Sequence, residues 1–580
     1  SDSYIFASGD LDASMSFTAS ITNSDADGTA GSISLGVAGI DVVVGKSDDV
    51  YAAISQLASA SKSATADSVA GDFTIGNINS TGAGTGANAE IFLLNSATVA
   101  KTGAVNASVG DLVVGDVTIT HGKSGDGDLT VYNYVDNRGK GDGTVGDFTI
   151  GNVSHTLGSN ASAYAYLYNS ASVDTGDATV GDFLVGDITL DVGKSGDYSL
   201  SVTNSAEVDA SGDAVAGDVT IGNITLTIGT NASGSFSATN EADSDKGNAT
   251  VGNTIVGDIN LSVAKGGSND WLGFYNSADA VSGDATVGNI SFGNITATQA
   301  TSGDVAIYMG AYNRASVSAT GDAIAGNITA GDITITAGDE IEWNGVTLSN
   351  DARADKGDAT VGDITVGDIV MNLGDGGDES VSITIENQAS VSTSGAATAG
   401  DISIGNITAN AGSSNSFEIS ITQDVDTAKG AATIGNVSIG NLSSNLGLDA
   451  YLLFDVDVSA SGTAGDSIGD ITIGNVDVYG QPDATLEFEI YASAAKGSVG
   501  TYTLGDVNIT LDGDGYLSFE NSVYAASSIA GVSIGDVNIS LGASATLGYF
   551  TILASAGTTL GDVSIGDITI TGGLGVTDND

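Results

Sequence analysis

The side chains whose type and spacing could do chemistry are carboxylates. Asp72, Asp111, Asp147, Asp182 and Asp218 each follow a glycine at the same point of a recurring motif. Further acids crowd short stretches: Asp25 with Asp27, Asp375 with Asp378, and Asp512 with Asp514. Carboxylates at this density, beside the carbonyls of glycine-rich turns, are hard oxygen donors of the kind calcium takes. The competing reading is a solvated acidic face with no dedicated ion. The chain contains no complete EF-hand loop, and the glycine- and aspartate-rich nonapeptide of calcium-loaded β-rolls is also missing.

Other constellations lack the context their chemistry needs. Gly531-Val532-Ser533-Ile534-Gly535 has the glycine–serine–glycine spacing of a nucleophile elbow, without a strand-to-helix turn to present the serine. Gly141, Gly143 and Gly146 have dinucleotide spacing, with no helix to receive a phosphate. The two histidines, His121 and His155, fall at different points of their repeats, and Trp271 and Trp343 stand in separate repeats. With no cysteine, thiol catalysis, disulfides and zinc–thiolate sites are excluded. No catalytic residue and no organic cofactor are expected.

Charge narrows the partners. The chain carries 72 Asp and Glu against 14 Lys and Arg, a net charge of −58. A polyanion of this size is repelled by nucleic acid and by anionic membrane surfaces. No apolar run reaches transmembrane length, so membrane insertion is not expected. The expected partners are divalent cations and other copies of the chain. A 41% hydrophobic content, built from Val, Ile, Ala and Leu, is too high for a disordered acidic tail. Ser1 in place of methionine points to a processed or signal-independent exported protein, expected on the exterior of a bacterial or archaeal cell.

The elements that must position these acids follow from one repeat. The anchor is Gly-Asp/Asn-Φ-Thr/Ser-Φ-Gly-Asp/Asn-Φ, where Φ is apolar. It begins at Gly71, Gly110, Gly146, Gly181, Gly217, Gly252, Gly288, Gly326, Gly362, Gly400, Gly435, Gly469 and Gly561, with degenerate copies at Gly31, Gly500 and Gly531. Alternation predicts short strands, and the phase slips by one at each Gly-Asp, which a continuous strand cannot do without swapping faces. A corner at the glycine repairs the slip and leaves the acid outside.

The rest of each unit predicts a longer strand carrying an amide: Asn23, Asn95, Asn133, Asn169, Asn204, Asn240, Asn276, Asn313, Asn350, Asn387, Gln423 and Asn521. Stacked one rung apart, such amides form a ladder. The expected fold is therefore all-β: a single parallel β-solenoid of about sixteen coils of about 35 residues, with Gly-Asp/Asn corners and an Asn ladder. One solenoid is expected over residues 1–580, with an edge coil at 1–30, regular repeats at 31–499 and shorter ones at 500–580.

A second pattern concerns repulsion. The last corner alternates Asn77, Asp116, Asn152, Asp187, Asn223, Asp258, whereas the column from Asp72 to Asp218 is unbroken. Like charges one rung apart repel by about 1 kcal/mol even in water, so the unbroken column needs distance, water or cations. Tyr164, Tyr166 and Tyr168 form an outward aromatic strip, suited to a lateral contact or a sugar platform.

With its acidity, Gly-Asp corners, amide ladder and lack of cysteine, the chain resembles the repetitive β-solenoid surface proteins of bacteria and archaea. These include large adhesins, filamentous haemagglutinins, calcium-loaded type I secreted proteins and fibre or surface-layer subunits. The resemblance is one of architecture and carries over no functional residue. It implies an extracellular structural protein, the subunit of a surface filament or array stacked head to tail. The alternatives are a monomeric stalk or adhesin segment of a calcium-binding surface protein, and a polysaccharide-active β-helix.

Overall fold

The coil 178–211 shows how the sequence makes the fold. Ala178–Val180, Phe183–Val185 and Ile188–Val192 are short strands, followed by the long strand Asp197–Ser211. Ala178, Val180, Phe183, Val185, Ile188, Leu190 and Val192 point inward and are buried, while Thr179, Leu184 and Thr189 point out. The corners at Gly181-Asp182 and Gly186-Asp187 absorb the phase slips, so every apolar residue of the anchor reaches one core. A turn at Gly193–Gly196 leads into the long strand, with Ser195 at φ 54°. Gly212, at φ 142°, opens the next coil in a conformation that strains any residue with a Cβ.

The computed structural model describes residues 3–7, 13–23, 35–46, 48–60, 67–82, 84–100, 105–299, 306–338, 343–375, 379–463, 465–572 and 577–578. Among them there is no helix. The chain divides into two compact units, residues 1–291 with Arg314–Ser318, and residues 292–313 with 319–580. In each, strands pair in parallel with the equivalent strand of the next coil. Phe148 aligns with Phe183 and Phe183 with Val219 in the first unit, and Ile364 aligns with Ile402 and Ile402 with Val437 in the second. Both units are stretches of β-solenoid.

Fewer coils than the expected sixteen keep the full strand pattern. About twelve turns keep the four-sided outline: eleven coils between Ala107 and Ala494 have four separate strands, and the coil 68–99 differs only in running its second and third strands together. In the C-terminal repeats the first two short strands fuse, as Ser498–Leu504, Ser528–Ile534 and Thr559–Ile565. Gly500-Thr501 and Ala530-Gly531 replace Gly-Asx in the first two of these strands, whereas the third keeps Gly561-Asp562 and still runs on as one strand, paired with the fused strand before it. The copy expected to begin at Gly531 is one residue out of register, since Gly531 aligns with Thr501.

The amide ladder is real, with corrections. In the first unit Gln56 donates to Asn95 (3.1 Å), Asn95 to Asn133 (3.0 Å), Asn133 to Asn169 (3.0 Å), Asn169 to Asn204 (3.1 Å) and Asn204 to Asn240 (3.2 Å). Each of these Asn amides also reaches across its coil to a corner carbonyl, as Asn204 does to Gly181 O at 3.2 Å. Gln56 begins the ladder and had no sequence signal. Asn23 does not belong: its register partner is Ala60, and Ala19 aligns with Gln56. In the second unit Asn350 and Asn387 bind the carbonyls of Gly326 (2.8 Å) and Gly362 (3.0 Å). Beyond Gln423 the ladder position passes to Val458, Ala492 and Val523, and Asn521 lies two residues out of register, over Ile490. Asn521 accepts from the Tyr502 hydroxyl instead, at 2.6 Å.

Candidate functional site

The corner acids form columns, and the backbone of the next coil uses them. Oδ1 of Asp72 accepts the amide N–H of Asp111 (3.3 Å), Asp111 that of Asp147 (3.0 Å), Asp147 that of Asp182 (2.9 Å) and Asp182 that of Asp218 (2.9 Å). Asp218 accepts the N–H of Asn253 at 2.6 Å. The structure brings all five predicted residues into one line. Asp72, Asp111, Asp147 and Asp182 are exposed, and Asp218 is half-buried.

The glycine before each acid is a steric consequence of this bond. None of the glycines at these corners has positive φ. A Cβ at Gly217 would instead lie 2.5 Å from Asp182 Oδ1 and 2.7 Å from the Gly181 carbonyl carbon of the coil below. The same holds at the next corner, where a Cβ at Gly222 would lie 2.5 Å from Asp187 Oδ1. Glycine makes room for an acceptor and Asp or Asn supplies it, so the two recur as a pair. The Gly carbonyl faces inward to the ladder amide and the Asx side chain faces outward to the next coil, satisfying both sides of the corner.

The alternating column works the same way: Asp116 N–H donates to Asn77, Asn152 to Asp116, Asp187 to Asn152 and Asn223 to Asp187, at 2.8–3.0 Å. The amide of Asn223 adds a bond to Asp187 Oδ1 at 3.2 Å, the interleaved donor its spacing predicts. A third column, not singled out by spacing, runs through Asp67, Asn106, Asp142, Asp177, Asp213 and Asn248. In the second unit Asn327, Asp363, Asp401, Asn436 and Asp470 repeat the arrangement, ending at the N–H of Thr501.

The remaining predicted acids do not converge. Asp25, Asp27 and Asp378 lie outside the described residues. Asp375 accepts the Ser413 N–H at 3.1 Å, a bond like those of the corner columns. Asp512 accepts from the Tyr479 hydroxyl at 2.6 Å, and Asp514 is exposed. Among the described residues no group of three or more His, Cys, Asp or Glu is arranged to hold a metal ion.

The histidines sit inside adjacent coils, offset by one inward position, since Ile119 aligns with His155 and His121 with Leu157. His121 Nδ1 donates to the Ala87 carbonyl at 3.1 Å, which leaves Nε2 to accept from the Ser80 hydroxyl at 3.3 Å. Burial lowers its pKa. His155 is fully buried, edge-on to Tyr198 at 5.2 Å, and neither ring nitrogen meets a partner among the described residues. Desolvation, with a smaller contribution from His121, pushes its pKa down to about 3. These are neutral core residues.

The sequence reading missed an aromatic gathering on the outer face of the long strands. Trp271 and Tyr275 lie in the strand Ser268–Ser282, with rings 6.2 Å apart. One extra residue in this strand, Asp270, set opposite the step from Gly234 to Ser235 of the neighbouring strand, lets Trp271 face outward beside it. The trace in the sequence is slight: ladder amide and corner glycine are 24 residues apart in this coil and 23 in the previous one.

No family model matches the chain, and neither a curated protein nor a solved structure matches it. Among the described residues no helix is long and apolar enough to cross a membrane.

Proposed function

We propose that the chain is an extracellular structural protein of the cell surface, a subunit that assembles into a filament or array by stacking coil on coil. One observation carries this reading. In both units coils are completed by parallel pairing, strand for strand, with the coil beside them: Phe148 aligns with Phe183 and Phe183 with Val219, Ile364 with Ile402 and Ile402 with Val437. A coil built this way is complemented by another coil in parallel register, and a second copy supplies one. A heterologous contact of that kind does not close and so extends. The corner columns support a scaffold, because every acid in them is engaged in joining one coil to the next.

Divalent cations enter as counter-ions along the columns, offsetting the −58 charge that each copy brings to the contact. Calcium is the cation this reading tests first. The experiment is negative-stain microscopy of the purified chain over a range of concentrations, with and without calcium. Filaments or arrays whose length grows with concentration are expected. Discrete single-chain particles under all conditions would overturn assembly and leave a monomeric stalk as the reading.

A further inference from the structure

We propose that the outer face of the long strands between Ser162–Thr175 and Ser268–Ser282 is a binding trough for a polysaccharide chain without acidic groups. The four strands involved pair in order, Ser162–Thr175 with Asp197–Ser211, that with Ser233–Ser244, and that with Ser268–Ser282. All lie in the first compact unit.

One wall is aromatic. Tyr164, Tyr166 and Tyr168 alternate outward on Ser162–Thr175, and Tyr164 and Tyr166 are 40% and 37% exposed. The Tyr168 ring stacks on Tyr132 of the coil below, 5.1 Å away at 18°, and Tyr166 lies nearly parallel beside it, 6.5 Å away at 19°. With one face of Tyr168 covered by Tyr132, its other face looks up the solenoid over the next strand.

The opposite wall is formed by Trp271 and Tyr275, nearly parallel at 24°. Gly273 between them leaves room for the indole, since a Cβ there would collide with Trp271. The bulge matters because unbroken alternation after the buried Asn269 would turn Trp271 into the core. The extra residue holds Trp271 on the outer face.

Between the walls the floor is hydroxyl. Ser199, Ser201 and Thr203 align with Ser235, Ser237 and Thr239, all half-buried. Ser237 donates to Ser201 at 3.4 Å. Three strand spacings separate the walls, about 14 Å. At one end the trough runs into a recess of about 200 Å³ lined by Ser205, Glu207, Glu241, Asp243, Ser277 and Asp279. Asp197 and Asp270 stand at the other end.

A pyranose matches this combination. It has an apolar C–H face, which the negative face of an aromatic ring attracts, and a rim of hydroxyls that can pair with Ser, Thr and carboxylate oxygens. A protein partner would be expected to need an apolar pocket at the centre, where this face has only hydroxyls. The carboxylates at both ends disfavour uronic or sulfated chains by like charge.

The test is affinity electrophoresis of the full chain in gels containing a soluble β-glucan, a xylan, glycol chitin or polygalacturonate, alongside binding to polylysine. Retardation is expected in at least one of the first three gels and not in polygalacturonate. Trp271→Ala, and separately Tyr166→Ala with Tyr168→Ala, should each weaken it about tenfold or more. Tyr491→Ala in the second unit should leave it unchanged. Unaltered circular dichroism separates loss of the trough from loss of the fold. No retardation in any non-acidic gel, retention only on polylysine, or binding that survives both sets of replacements would overturn the proposal.

Discussion

Asp182 Oδ1 accepts the backbone N–H of Asp218 at 2.9 Å, and the same oxygen lies 2.5 Å from where a Cβ on Gly217 would stand. One atom thus accounts for both letters of the Gly-Asp motif. The acid is an acceptor for the coil above, and the glycine is the space that acceptor occupies. An asparagine can replace the acid, since its carbonyl accepts in the same way, and the columns contain both.

The first prediction separates acceptor from charge. Asp182→Asn keeps Oδ1 and removes one of five consecutive charges, so it should be neutral or slightly stabilising. Asp182→Ala leaves the Asp218 N–H to water and should cost about 1 kcal/mol. Hydrogen exchange at Asp218 and its neighbours measures the local effect, which global unfolding of a long repeat protein obscures. Equal loss of protection in both variants would show that charge, through a bound cation, matters more than the acceptor.

The second prediction concerns the glycine. Gly217→Ala forces its Cβ against Asp182 Oδ1, which can swing aside only by giving up its bond to Asp218, and against the Gly181 backbone, which cannot yield, and should destabilise the coil by about 1–3 kcal/mol. Gly531 provides the contrast. It stands where its coil would carry the acid, and its nearest neighbours to a Cβ are Asp562 O at 3.4 Å and Thr501 Cγ2 at 3.8 Å. Gly531→Ala should be tolerated. Exchange protection around each site checks the pair, and equal effects would refute the steric account.

The corners and the parallel stacking were legible because each has a strict period: Phe183 and Val185, then Ile188 and Leu190, can reach one core only around a turn. What the acids do was not legible. The repeat shows Asp72 to Asp218 in line, and it cannot show that the partner of each oxygen is a backbone N–H about 36 residues away. Asn23 and Asn521 carry the right residue type out of register, and Gln56 carries a different type in register. Only pairing between coils tells these apart. Trp271 was hidden for a related reason, because a one-residue bulge inverts the face that alternation assigns to it.

The third prediction follows from His155. Its pKa is about 3 in the folded chain, against an ordinary value of 6.5. Above pH 6.5 the ring is neutral folded or unfolded, and contributes no pH dependence. Between pH 6.5 and about 3 the unfolded chain takes up a proton that the folded coil refuses, so stability falls as pH falls, by about 1.4 kcal/mol per unit. His121, also lowered by burial, acts in the same direction. Acids raised by burial and mutual repulsion, among them Glu207 and Asp243, oppose it by favouring the folded state as they protonate. His155→Leu isolates the histidine, because Ile119 and Leu190 flank that position in adjacent coils and a leucine extends the column. The variant should gain about 2 kcal/mol more at pH 5 than at pH 7.5, measured by hydrogen exchange in Val153–Leu157 and Ile188–Val192. A gain independent of pH would mean that His155 is solvated and titrates normally.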